Sequence, residues 1–250
     1  MNDRRRFVAR TMLAVATPFI AACQRLSETP WFANALTIGE SLSREALTLA
    51  GRRAMAQEFP ASAISPTFRS NGTAMPASLA YQRMAARGFD AYRLRVDGLV
   101  DAPREFTLDE LKALPSRTQI TRHDCVEGWS AIAKWKGTRL SALLQQVRPQ
   151  PAARYVVLYC ADMMDDGDAY YESIDLDDAM HEQTLLAWEL NDAPLPVANG
   201  APLRLRVERQ LGYKHAKYVM RLQLVDHFTR IAGGKGGYWE DRGYQWFAGI

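Results

Sequence analysis

Three separated segments alternate apolar and polar side chains with a period of two, and this constrains the fold more than any other feature. In the first, Tyr92, Leu94 and Val96 interleave with Arg93, Arg95 and Asp97. The others are Leu203-Arg204-Leu205-Arg206-Val207 and Met220-Arg221-Leu222-Gln223-Leu224. Such alternation predicts strands with one wet face. Residues 117–124 and the β-rich run Arg154 to Cys160 read as further strands. The helices are few and short. Thr107-Leu108-Asp109-Glu110 fits a capping box, opening a helix that ends near Leu114-Pro115. Leu140, Leu143, Leu144 and Val147 stand at i, i+3, i+4 and i+7, a helix ended by Pro149. Asp175-Leu176-Asp177-Asp178 begins another, and short helices are expected near Leu79 to Ala86 and from Ser43 to Ala56. Regular βα alternation is missing, and so are a Gly-x-Gly-x-x-Gly turn after a strand and a phosphate-cradling Gly-Lys-Ser/Thr loop. The expected class is therefore α+β rather than a doubly wound nucleotide fold.

The chain of 250 residues is long enough to bury a core without disulfide or metal staples. Its formal charge of +3 sits in one place. Arg4, Arg5, Arg6 and Arg10 face only Asp3 within residues 1–22, and the remainder is balanced. That removes a bulk-charge argument for nucleic acid as a partner. No apolar run approaches the roughly 20 residues of a spanning helix. The basic start is followed by a short apolar run from Thr11 to Ala22, which reads as an export signal over residues 1–22. The order Arg4-Arg5-x-Phe7-Val8 resembles the twin-arginine signal, which carries proteins out already folded; an ordinary export signal is the alternative. Ile20-Ala21-Ala22-Cys23 resembles a lipobox, with Cys23 as the lipid-carrying residue or as a bystander to cleavage. Residues 23–64 read as an adaptor segment and 65–250 as the main domain.

The three cysteines, Cys23, Cys125 and Cys160, include no Cys-x-x-Cys pair. A zinc ribbon, a thioredoxin-like site and c-type haem attachment are thus without support, and zinc is not expected. A bridge between Cys125 and Cys160 stays open in an oxidising compartment. The densest segment is Arg122-His123-Asp124-Cys125-Val126-Glu127-Gly128-Trp129-Ser130, followed by Trp135-Lys136-Gly137. A cysteine at a strand end before a glycine turn has three readings: an inert buried thiol, a nucleophile with His123 as its base, or a soft thiolate ligand for a transition metal.

This segment, with Leu140-x-x-Leu143-Leu144 after it, resembles the core signature of the sulfite-oxidase-type molybdopterin proteins. That family includes sulfite oxidases, plant-type nitrate reductases and periplasmic methionine-sulfoxide reductase catalytic subunits. The resemblance runs from about Ser65 to residue 225. It implies a mixed-sheet molybdopterin-binding domain and a molybdenum-molybdopterin cofactor with a single pterin, with Cys125 as the metal ligand. Phe68-Arg69-Ser70-Asn71 resembles the stretch lining the pterin and metal, making Arg69 and Asn71 candidates. Asn199-Gly200-Ala201-Pro202-Leu203-Arg204 resembles a cofactor-contacting segment through Asn199 and Arg204. Gly212-Tyr213-Lys214-His215-Ala216-Lys217 resembles the loop that grips the phosphate end, through the backbone amides of His215 and Ala216 and the side chain of Lys217. A phosphate dianion needs several donors, which arginine and lysine supply. Read without the resemblance, Arg204 belongs to a half-exposed strand, and Lys214 and Lys217 are surface charges.

Departures from the family pattern bear on the substrate. Cys160 stands where relatives carry a small cofactor-contacting residue, often threonine. No arginine occurs from Val126 to Ser130, where vertebrate-type sulfite oxidases place one, and this weakens sulfite as substrate. Tyr170 falls near the family's active-site tyrosine, with Tyr171 competing for the register. Arg242 is expected to bring a cation to the pocket, as a catalytic residue beside Cys125 and Tyr170. An immunoglobulin-like dimerisation domain, a haem domain and a flavin are not expected. The resemblance therefore implies a periplasmic, monomeric catalytic chain. It would transfer an oxygen atom or two electrons on a small, sulfur-containing substrate, with a membrane cytochrome b as electron partner. A molybdopterin-fold binding module without catalysis and a cysteine-dependent thiol enzyme are the competing readings.

Overall fold

The structure is a computed structural model that describes residues 54–250, together with Thr29 and Trp31. The chain separates into two units, Met1–Arg52 and Arg53–Ile250, and the second carries the cavity described below. The export signal, Cys23, most of the adaptor segment and all but the last three residues of the helix expected from Ser43 to Ala56 lie outside the described residues; those three have no regular structure.

In chain order the elements are α1 (Leu79–Ala86), β1 (Arg93–Gly98), β2 (Arg104–Thr107), α2 (Leu108–Ala113), β3 (Ser116–Asp124), β4 (Ser130–Arg139), α3 (Leu140–Val147), β5 (Tyr155–Met163), β6 (Ala169–Asp175), α4 (Leu176–Met180), β7 (Leu185–Leu190), β8 (Ala193–Pro194), β9 (Arg204–Arg206), β10 (Val219–Val225) and α5 (Tyr238–Asp241). The class is α+β, as expected. The first sheet has the order β2-β1-β10-β5-β6. It is mixed: β1 and β10 run parallel, and the other pairs are antiparallel. The second sheet, β3-β4-β7-β8 with β9 on β7, is antiparallel throughout.

Local signals place several elements. Thr107 and Glu110 close the capping box at the start of α2, with Glu110 N–H donating to Thr107 Oγ1 at 3.1 Å and Thr107 N–H to Glu110 Oε2 at 2.8 Å. Helix α3 buries Leu140, Leu143, Leu144 and Val147 completely. It packs them with Leu94, Val96, Val156, Leu158, Leu222 and Leu224 of the first sheet, forming the main core. The parallel β1–β10 pair sets Val96 beside Leu222 and Gly98 beside Leu224, which brings the two alternating segments together.

The third alternating segment behaves differently. Strand β9 is buried at every position, so the half-exposed reading of Arg204 is overturned, and Arg206 is fully enclosed. Lys214 and Lys217 are likewise not surface charges. Residues 58–65 lie along the second sheet: Phe59 N–H donates to Ile120 O, and Ser65 N–H to Ile132 O, both at 2.9 Å. Within the described residues, no helix is long and apolar enough to cross a membrane.

Candidate active site

Cys125 stands at the tip of the β3–β4 hairpin. Asp124 anchors the hairpin there, accepting from Ser130 Oγ at 2.5 Å and Arg122 Nε at 2.9 Å. Cys125 N–H donates to Trp129 O at 2.9 Å, and Gly128 N–H to Cys125 O at 3.0 Å. Gly128 closes this turn at φ +82°, a left-handed conformation natural to glycine. Phe68 packs edge-on against Trp135, with ring centroids 5.0 Å apart, and lies 5.5 Å from the His123 ring. This aromatic anchor steers the following residues past the hairpin tip, so that Asn71 Nδ2 donates to Cys125 Sγ at 3.4 Å.

Cys125 lines a cavity of about 180 Å³. Of the residues expected there, Asn71, Tyr170, Arg204, His215 and Lys217 share it. Lys217 ties two loops together beside it. Its Nζ donates to Asn71 O at 2.8 Å, to Ala198 O at 3.0 Å, and to Thr73 O. Burial, reinforced by Arg204, lowers the Lys217 ammonium to about 8. Burial and the neighbouring Arg206 lower Arg204 to about 9. Tyr170 donates its hydroxyl to Tyr213 O at 2.7 Å. Burial, then the nearby Glu172 and Cys160, push its phenol well above the ordinary range, so it stays neutral. Tyr171 does not line the cavity; its hydroxyl donates to Asp241 Oδ2 at 2.6 Å.

Other expected residues are placed elsewhere. Arg69 is exposed and sits 5.9 Å from the Trp129 ring, outside the lining. Arg242 is committed to Asp166 and Asp168 at the β5–β6 turn and lies over the Tyr238 ring at 3.6 Å, so it brings no cation to the cavity wall. Cys160 sits on β5 opposite Val219 and does not line the cavity; burial, then Asp162 and Glu172, push its thiol up. The backbone amides of His215 and Ala216, expected to grip a phosphate, donate instead to Gly212 O and Lys214 O, both at 3.1 Å. Asn199 is buried behind Arg204, which donates to its carbonyl at 3.2 Å.

Sequence reasoning missed several wall residues. Among the described residues, the lining holds two carboxylates, Glu127 and Asp162, and burial raises Asp162 to about 6. Met164, Tyr213, Trp239 and Tyr244 form an aromatic and thioether rim, with the Trp239 and Tyr244 rings stacked at 5.3 Å. His123 was singled out only as a possible base for Cys125, yet it forms part of the wall. Burial first, then Arg206 and Arg204, hold its imidazole well below the usual range.

Several polar atoms here are buried without a hydrogen-bond partner: Arg204 Nε, Asn199 Nδ2, His215 Nδ1 and Asp162 Oδ1. Each such group costs about 1–3 kcal/mol. A polar, anionic group bound in the cavity would relieve the arginine, and the Cys125 sulfur on the same wall is a soft metal ligand. The donor set thus fits a metal-bearing, phosphorylated cofactor. Among the described residues, no three His, Cys, Asp or Glu side chains cluster as a metal cage, so a metal here would take most of its ligands from the cofactor itself.

Residues 81–230 match the family described as the oxidoreductase molybdopterin binding domain. A protein of Azospira oryzae with the provisional name protein-methionine-sulfoxide reductase subunit YedZ1 is 45% identical over 159 residues, covering 64% of this chain and 56% of that protein. The protein-methionine-sulfoxide reductase catalytic subunit MsrP of Ralstonia nicotianae is 38% identical over 145 residues, covering 54% of this chain and 44% of its own length. The chain thus spans about half the length of the curated relatives it matches. The crystal structure of the sulfane dehydrogenase SoxCD from Paracoccus pantotrophus superposes with a TM-score of 0.50 at 25% identity, over 55% of this chain and 39% of that one.

Proposed function

Because the chain belongs to the molybdopterin-binding oxidoreductase family of sulfite-oxidase type, we propose that it is an exported reductase of small sulfoxide groups, with Cys125 as the protein's ligand to molybdenum. The observation that carries this reading is the Cys125 sulfur on the wall of a cavity flanked by buried, unpartnered donors. When bound, the molybdenum-molybdopterin group supplies oxygen-atom or electron-pair transfer.

The chain's own residues have distinct tasks. Asn71 holds the Cys125 sulfur in place through its amide. Arg204, seated by its bond to the Asn199 carbonyl, directs donors toward the anionic part of the cofactor, and Lys217 fixes the two loops between which it enters. Tyr170, kept neutral and anchored by donating its hydroxyl proton to the Tyr213 carbonyl, presents its phenol oxygen to the cavity as an acceptor. Trp239, Tyr244 and Met164 exclude water at the rim. Converting a sulfoxide to a sulfide takes two electrons and two protons and releases water. A membrane cytochrome b is the proposed electron source.

The wall also favours a sulfoxide over sulfite. A sulfite dianion wants converging cations, but Arg242 is paired with two aspartates, Lys217 spends its donors on three backbone carbonyls, and Arg204 is assigned to the cofactor. An aromatic rim suits a neutral, polarisable sulfur group instead. Two of the relatives are named for protein methionine sulfoxide, which points the same way. A thiol enzyme fits poorly, since His123 Nδ1 is engaged by Arg206 and the side-chain partner of Cys125 is Asn71. Residues 1–22 serve as a twin-arginine signal for export to the periplasm, 23–64 as an adaptor with Cys23 available for lipidation, and 65–250 as the catalytic domain.

The test is a substrate screen with protein made in a host competent for molybdopterin synthesis. One molybdenum per chain, and oxidation of a reduced viologen dye by sulfoxides, are the expected results. Turnover of sulfite with an artificial oxidant and none of sulfoxides would contradict the substrate; absence of molybdenum would contradict the whole reading.

A further inference from the structure

Two histidines stand side by side on the cavity wall. The His123 and His215 rings are 5.0 Å apart at 86°, and each residue is 3% exposed. Their hydrogen bonds fix opposite polarities. His123 Nδ1 lies 2.9 Å from Arg206 Nη1. A guanidinium has donors and no acceptor, so Arg206 donates, Nδ1 accepts, and the single ring proton sits on Nε2. His215 Nε2 lies 3.0 Å from the Gln210 carbonyl oxygen. A carbonyl only accepts, so Nε2 carries the proton there too, and Nδ1 is left bare, buried and without a partner.

The group that sets His123 is itself held on every side. Arg206 Nε and Nη2 grip the two oxygens of Glu208 at 2.9 and 2.5 Å. Glu208 Oε1 also accepts from Gln119 Nε2 at 2.9 Å, and Gln119 donates in turn to Gln183 O at 3.0 Å. All are buried, Arg206 completely. Apolar residues of similar volume often replace a buried ion pair at no cost in stability, so this pair calls for a role in setting polarity. On the other side of His123, a Cβ at Gly212 would fall 2.5 Å from Nε2. The bare glycine backbone leaves the room that this nitrogen needs.

We propose that His123 and His215 form a fixed-polarity pair, His123 Nε2–H as donor and His215 Nδ1 as acceptor, that orients the bound pterin cofactor, with Arg206 and Glu208 as positioning residues. A pterin carries neighbouring donors and acceptors along its edges, so a donor and an acceptor held side by side accept it in one orientation and not in the flipped one. This rests on the cavity being the cofactor site, as proposed above.

The test combines a spectroscopic signature with a rescue. In the full chain loaded with cofactor and labelled with ¹⁵N-histidine, long-range ¹H–¹⁵N spectra should show His123 protonated at Nε2 and hydrogen-free at Nδ1, and His215 the same. The double variant Arg206→Met/Glu208→Leu removes both buried charges at once and so guards against simple misfolding. It should shift His123 toward a mixture of tautomers and leave His215 unchanged. His123→Phe should speed the loss of molybdenum and pterin on dilution about tenfold, and His123→Gln, which keeps a donor near Nε2, should restore retention. A proton on Nδ1 of either histidine in the unmodified protein, or equal retention in His123→Phe, overturns the inference. A chain that binds no molybdopterin overturns the proposed function instead, and the tautomers of the unloaded chain then stand as a separate result.

Discussion

The interior holds two regions of opposite character. Around α3 the first sheet buries a nearly unbroken apolar face: Leu94, Val96, Val156, Leu158, Leu222 and Leu224 meet Leu140, Leu143 and Leu144. Facing the cavity, β3 and β9 of the second sheet bury Gln119, His123, Arg204 and Arg206, with Glu208 just beyond. The apolar region is what burial alone would select, since each buried leucine contributes roughly 1.5–3 kcal/mol. The polar region carries orphaned donors and a lowered arginine pKa, and is hard to justify as stability. The difference teaches that one region holds the fold and the other is shaped for a polar guest.

Separate variants should therefore pull stability and function apart. Cys125→Ser should reduce sulfoxide turnover beyond the roughly 10–100-fold typical of losing a residue around a metal. Urea denaturation of its cofactor-free form should stay near wild type; a large loss of stability would blur the division. Leu143→Ala should do the converse, costing about 2–5 kcal/mol in the same denaturation with molybdenum per folded chain unchanged. If it emptied the cavity as well, the regions would not be independent.

Asp162 sharpens the contrast through pH. Its folded-state pKa is raised from 3.8 to about 6 by burial. A raised carboxyl contributes stability below its unfolded pKa and loses it as pH rises through the folded value. The cofactor-free chain should thus weaken by roughly 2–3 kcal/mol between about pH 4 and pH 6 from this group. Asp162→Asn should flatten that slope in denaturation curves taken across the window; an unchanged slope would refute it. The smallest effect on stability is expected at Arg204. Arg204→Met should change the cofactor-free chain by under about 1 kcal/mol, because a costly buried cation is removed. It should nonetheless weaken cofactor retention about tenfold, as read by metal and pterin content after dilution.

The apolar region was far more legible in the sequence than the polar one. The i, i+3, i+4, i+7 apolar residues of α3, the capping box at Thr107 and the alternation of β1 are local patterns, and the structure keeps them except at Asp97, which is buried against Arg221. Strand β9 has the same alternation as a strand with a wet face, yet both its arginines are inside. Periodicity reports which residues share a face, not which face meets water when polar partners wait on the other side. Cys125, Asn71 and Arg204 were found through the family resemblance rather than through patterning. The rim residues Trp239 and Tyr244 arrive from a distant tail, and the pairing of Arg242 with Asp166 and Asp168 joins residues more than seventy positions apart. No local pattern carries such convergence.

The central claim is that the Cys125 sulfur binds molybdenum, and X-ray absorption at the molybdenum edge tests it most directly. The wild-type chain should show a sulfur shell that includes one thiolate besides the cofactor's own sulfurs, and Cys125→Ser should show that shell reduced by one. An identical sulfur shell in both proteins would contradict it.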